Sequence, residues 1–136
     1  MINYTNAQFR SILLGLGFLL KDFVDISKGY PVTTDNSPLT GTKTRLAILA
    51  FQEKYQINAD GIVGPQTRTK AAEVMRILQH QLNIVVDAGF TLEEPFYGPK
   101  TVASVKKFQA ALGLTQNGVA TQALREELNE IAQATV

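Results

Sequence analysis

The stretch Gly41–Val63, GTKTRLAILAFQEKYQINADGIV, returns 57 residues later and without a gap as Gly98–Ala120, GPKTVASVKKFQAALGLTQNGVA. Gly41 pairs with Gly98, Lys43-Thr44 with Lys100-Thr101, Phe51-Gln52 with Phe108-Gln109, Ile57 with Leu114, and Gly61 with Gly118. A repeat of this kind means one structural unit built twice, each copy burying its apolar face with the help of the other. Within each copy, apolar residues fall at i, i+3 and i+7: Ile48, Phe51 and Tyr55, then Val105, Phe108 and Leu112. That spacing lays one stripe along an α-helix. Asp60-Gly61 and Asn117-Gly118 follow as tight turns, where glycine adopts backbone angles that other residues resist. Gly64-Pro65 and Gly98-Pro99 each open a helix, because proline at a first helical position loses no hydrogen bond.

Outward from the repeat, each copy is preceded by a further apolar face. The first comprises Phe9, Ile12, Leu13, Leu16 and Leu20, and the second Val74, Ile77, Leu78, Leu82 and Val85. The helix that starts at Pro65 is expected to reach about Val85, closing the first copy and opening the second, with a kink or short break as the alternative. A last helix runs from about Thr121 through Leu124, Leu128 and Ile131. The prediction is an all-α chain of about six helical segments in two pseudo-repeated bundles packed together. Residues 1–79 form the first repeat, and residues 71–136 form the second, with the central helix shared. Two polar loops, Lys21 to Thr40 and the shorter, acidic Asp87 to Tyr97, separate the opening helices from the repeated ones.

Composition narrows the chemistry. The chain has 136 residues, a formal net charge of +1, one histidine and no cysteine or tryptophan. A near-neutral balance provides no global field towards nucleic acid or membrane. Without cysteine there are no disulfides, thiolate metal sites or cysteine nucleophiles. The nine-residue run Ile12–Leu20 is too short for a membrane span. It reads as a buried helix rather than a secretory signal, since only Arg10 precedes it and Lys21-Asp22 stand where a small-residue cleavage site belongs. A catalytic zinc site needs several ligands, and His80 has no acidic residue at i+3 or i+4; it reads as a helix-surface residue. No serine lies in a G-x-S-x-G elbow, and Glu93-Glu94 are adjacent on a loop rather than placed across a cleft. No cofactor motif is present. These observations argue for a binding protein rather than an enzyme. Residues 42–79 carry six basic side chains against three acidic ones, whereas residues 80–97 hold only Asp87, Glu93 and Glu94.

The run from Thr44 to Thr67, TRLAILAFQEKYQINADGIVGPQT, resembles the peptidoglycan-binding-domain-like family: an apolar helix ending in Phe-Gln, then Asp-Gly, then Gly-Pro-x-Thr. Tyr97 to Gly118, YGPKTVASVKKFQAALGLTQNG, resembles it again, and VMRILQHQLN from Val74 to Asn83 is similar to the family's opening helix with its Leu-Gln pair. The two copies cover nearly the whole chain. The second lacks Gly-Pro-x-Thr and reads VATQAL, with Leu124 in the place of Thr67; the first opening helix lacks Leu-Gln. The resemblance implies a three-helix bundle in each copy, usually attached to cell-wall hydrolases, and recognition of peptidoglycan, often through its stem peptide. An intracellular protein-interaction adaptor reusing the fold is the alternative. The cell envelope is the expected location for the first and the cytoplasm for the second. The candidate ligand residues are Asp60, Gly61, Gly64, Gln66, Thr67 and Arg68, at a turn entering a helix whose free N–H groups suit a carboxylate. Tyr97 and Lys100 are the exposed candidates of the second copy. Because only the first copy keeps the full turn, it is expected to bind and the second to be degenerate.

Overall fold

A computed structural model describes residues 2–20 and 29–135. Five helices follow one another with no strand among the described residues: α1 (Asn6–Gly15), α2 (Thr42–Lys54), α3 (Pro65–Val86), α4 (Pro99–Ala111) and α5 (Gln122–Thr135). The count is five rather than about six because α3 runs without a break for 22 residues and serves both repeats. It packs against α4 and α5, while α1 packs against α2. Proline stands at the start of both α3 and α4. α3 ends at Asp87, which takes a left-handed conformation. Part of the expected first loop, 21–28, lies outside the described residues.

The repeated stripes occupy equivalent places. Ile48 and Phe51 of α2 and Val105 and Phe108 of α4 are all at most 1% exposed and belong to one continuous core. Phe51 meets Phe9 and Phe18 edge-on and leans on Tyr55. Two expected core positions lie outside. Leu20 is 78% exposed because α1 stops at Gly15 and the chain doubles back, with the Phe18 and Leu19 N–H groups both donating to the Leu13 carbonyl. Ile77 is 57% exposed because it stands at the edge of the α3 face that α5 covers.

The first repeat is tied into the second through α1. The Tyr97 ring lies against Gly15 so closely that a Cβ there would sit 2.5 Å from it. The Ala120 N–H donates to the Gly15 carbonyl at 2.7 Å, and Arg125 of α5 donates to the Leu16 carbonyl at 2.8 Å. Tyr4 adds a hydrogen bond to the Pro95 carbonyl. These bonds, and the shared α3, join the two repeats in one core.

Both α2 and α4 are followed by a left-handed residue: Gln56 at φ 56° and its repeat partner Gly113 at φ 72°. A side chain in that conformation costs about 1 kcal/mol, which glycine avoids. Gln56→Gly is therefore expected to raise stability by roughly that amount in chemical denaturation. Phe51→Ala and Phe108→Ala are each expected to lower it by about 3–5 kcal/mol, since each empties a ring-sized volume in a closed core. Thermal melts that leave both unchanged would contradict this assignment.

Candidate functional site

The turn after α2 is organised by one buried amide. Gln52 is 0% exposed, and its side chain reaches across to the turn. Its Nε2 donates to Asp60 Oδ1 (3.1 Å), the Ile62 carbonyl (3.0 Å) and Thr67 Oγ1 (3.0 Å), while its Oε1 accepts from the Gly61 N–H (2.9 Å). Gly61 sits at φ 73°, so the backbone angle favours glycine, and a Cβ there would also have to displace the Arg45 side chain, 2.9 Å away. Asp60 is exposed, yet its Oδ1 also accepts from the Ile62 N–H at 2.9 Å. That backbone bond, with the Gln52 amide and the nearby Arg45 guanidinium assisting, holds its carboxyl below the usual carboxylate range.

The first-copy candidates therefore divide. Asp60, Gly61 and Thr67 are engaged in shaping the turn, and Thr67 is buried. Gly64 caps α3 by its backbone alone. Gln66 is exposed, and its Oε1 accepts from the Asn58 N–H at 3.2 Å, bridging the helix start to the strand of chain after α2. Arg68 is half-buried and donates to the Val63 carbonyl at 3.0 Å. The turn and helix start do bring these six residues together.

The second copy repeats the lock with one change. Gln109 Nε2 donates to Asn117 Oδ1 (2.8 Å) and the Val119 carbonyl (3.2 Å), and its Oε1 accepts from the Gly118 N–H (3.0 Å). Asn117 Oδ1 accepts from the Val119 N–H as Asp60 does from Ile62. Leu124 replaces Thr67, and Ala123 replaces Gln66. Alanine cannot bridge to Thr115 as Gln66 bridges to Asn58. A groove of about 610 Å³ lies there, with Leu112, Leu114, Asn117, Thr121, Ala123 and Glu127 along it.

Tyr97 corrects the expectation of an exposed contact. It is 2% exposed, its hydroxyl donates to the Gly118 carbonyl (2.6 Å) and accepts from the Ala120 N–H (3.2 Å), and burial pushes its phenol well above the ordinary value. The reason is Gly15, whose missing side chain leaves room for the ring. Lys100 is exposed as expected. It donates to the Gly89 carbonyl (2.8 Å) and lies 4.9 Å from the Phe90 ring centre. Tyr97 thus supports the Gly118 turn from inside, whereas Lys100 lies at the start of α4, apart from the Asn117 groove.

Sequence reasoning overlooked Arg10 and Gln79. Gln79 of α3 is 1% exposed and donates to the Glu94 and Phe96 carbonyls. In the first repeat Arg10, 7% exposed, does the equivalent work. Its guanidinium donates to the Asp35, Ser37 and Pro38 carbonyls. The Leu-Gln pair of the second opening helix was the available signal; nothing in Phe9-Arg10 matches it. His80 is exposed on α3, and among the described residues no three His, Cys, Asp or Glu side chains lie close enough to share a metal ion.

The family described as "Putative peptidoglycan binding domain" matches the chain twice, over residues 13–70 and 72–128. No curated protein and no solved structure matches it.

Asp60 and Asn117 supply a test of the turn. The carboxyl of Asp60 is held low, so its stabilising contribution is present above the unfolded value of 3.8 and is lost as pH falls through the folded one. Asp60→Asn keeps the Oδ1 acceptor, as Asn117 shows. It is expected to lower the neutral-pH melting temperature slightly, by the share that the negative charge supplies, and to flatten its fall in acid. Asp60→Ala should lower the melting temperature at neutral pH.

Proposed function

Because the chain belongs to the peptidoglycan-binding-domain family through both of its repeats, we propose that it is a non-catalytic binder of peptidoglycan that recognises the stem peptide. The observation that carries the finer reading is the second-repeat groove. Leu114, half exposed beside Leu112, supplies an apolar wall for a peptide side chain. Asn117, Thr121 and Glu127 supply polar edges, and a mix of this kind suits a peptide better than a bare sugar chain. In the first repeat the corresponding span is bridged by Gln66, and most of the candidate residues there are held in the turn. We therefore place the stem-peptide contact in the second repeat. Gln66 and Arg68 flank the comparable surface of the first. The division into repeats at 1–79 and 71–136 belongs to the same proposal, with each half keeping α3.

Sedimentation with purified peptidoglycan tests the reading. The native protein is expected to pellet. Ala123→Gln, which gives the second repeat the bridge that Gln66 makes in the first, should reduce pelleting several-fold with an unchanged melting temperature. Gln66→Ala should not reduce it. Absence of pelleting by the native protein at low and high salt would remove the wall-binding reading and favour an adaptor that contacts protein.

A further inference from the structure

The groove of the second repeat and its counterpart in the first differ in charge as well as in shape. Glu127, which lines the groove from α5, stands 57 positions after Lys70. It is the only ionisable side chain among the described residues that line the groove. We propose that this groove selects peptides bearing a free side-chain ammonium, and that Glu127 is the residue that distinguishes them. The inference rests on the stem-peptide reading above and names which stems are taken.

Three features of different origin converge on such a ligand. The first is an uncompensated carboxylate. In the first repeat, Lys70 is paired with Glu73 at 2.8 Å, one turn further along α3. The same two positions in the second repeat are Glu127 and Glu130, like charges that cannot pair. Arg125 is the only basic residue of α5, and its guanidinium donates to the Leu16 and Ala120 carbonyls. Glu127 is exposed and has no hydrogen-bond or ion-pair partner among the described residues. A solvated carboxylate needs none for stability. What matters is the contrast: the charge at this position is neutralised in one repeat and left negative in the other.

The second feature is a donor of fixed orientation. Asn117 lines the groove, and its Oδ1 accepts from Gln109 Nε2 and from the Val119 N–H. The turn therefore holds the oxygen end of the amide, and Nδ2 keeps two hydrogens that no described residue accepts. A peptide carbonyl suits it. Asp60, at the same position of the first repeat, offers only acceptors. The third feature is the apolar wall of Leu112 and Leu114, the latter 50% exposed. An aliphatic side chain that ends in an ammonium lays its methylenes on such a wall and keeps its charged head in water.

A peptide with a neutral apolar side chain would use the second and third features and ignore the first. A small amine would use the first alone. A peptide residue whose aliphatic side chain ends in an ammonium uses all three. An exposed ion pair adds only a few-fold in affinity. That is enough to discriminate here, because an amine consumed in an amide cross-link has no charge to offer. The groove thus separates free stems from joined ones.

Sedimentation of the whole chain with purified peptidoglycan, before and after acetylation of its free amines, tests the assignment. Acetylation turns each ammonium into a neutral amide and leaves the wall more anionic. A chain of net charge +1 is drawn no less to that wall by bulk charge, so a loss of pelleting reports contact with the amines. At low salt the native protein is expected to pellet about three- to fivefold less on the acetylated wall, the scale of one exposed ion pair. High salt should erase the difference by screening. Glu127→Gln keeps the shape of the side chain and should pellet equally on both walls with an unchanged melting temperature. Glu130→Gln removes the same charge from α5 outside the groove and should behave as the native protein does. Two soluble probes, Nα-acetyl-lysyl-alanine and its Nε-acetyl derivative, give the same comparison without the wall. In NMR titrations the free-amine form is expected to bind several-fold more tightly and to shift the Asn117 side-chain amide. Equal pelleting of the native protein on the two walls would overturn the selection of amines and leave wall binding intact. An undiminished preference in Glu127→Gln, or its equal loss in Glu130→Gln, would overturn the assignment to Glu127. No pelleting of the native protein on either wall would remove the wall-binding reading, and this inference with it.

Discussion

A side-chain amide buried under a turn is what the rest of this fold leans on. Gln52 and Gln109 lie inside the core, immediately after the phenylalanines that anchor their helices, and each spends both its donor and its acceptor on the turn that follows. An amide in such a place is tolerable only when its partners are present, because each unsatisfied group costs about 1–3 kcal/mol. The requirement runs in both directions. The helix must reach far enough to bury the glutamine, and the turn must bring Asp60-Gly61 or Asn117-Gly118 to within hydrogen-bond distance. Once both are met, the entry of the next helix is fixed, and with it the position of α3 and α5 over the core.

The same logic appears where α1 and α3 hold the preceding loops, although the chemistry differs between copies. Gln79 holds two loop carbonyls with an amide, and Arg10 holds three with a guanidinium. Substituting one for the other preserves the donors and discards the acceptor. The repeats thus share a scaffold while exposing different surfaces. Gln66 bridges where Ala123 cannot, and the opening helix holds its loop with an arginine in the first repeat and with a glutamine in the second.

Much of this was legible in the sequence, for specific reasons. The ungapped spacing of Phe51-Gln52 and Phe108-Gln109 placed both core helices and both turns, and the unbroken apolar pattern from Pro65 predicted the shared helix. The turn residues, Asp60 to Arg68, do come together, but as the turn's own fastening more than as an open site. Arg10 was hidden because it stands 69 positions before Gln79, not 57. The longer first loop shifts the register, and arginine does not look like glutamine. Tyr97 was expected at the surface; its repeat partner, Thr40, carries no sign of a buried ring, and only the three-dimensional approach of Gly15 makes a cavity for it. Leu20 and Ile77 show the opposite error. Periodicity marks a face, but where a helix stops and how far its neighbour covers it are set by tertiary packing.

The continuity of α3 also bears on how two modules on one chain can act together. Modules joined by a flexible linker search a volume, and the second binds at whatever effective concentration the linker length allows. Here the junction is 22 helical residues, about 33 Å of stiff rod. With no linker to adjust, the two repeats present their surfaces at one separation and one relative angle. A target touched by both repeats at once would have to match that fixed geometry, because no change of linker conformation could compensate for a mismatch.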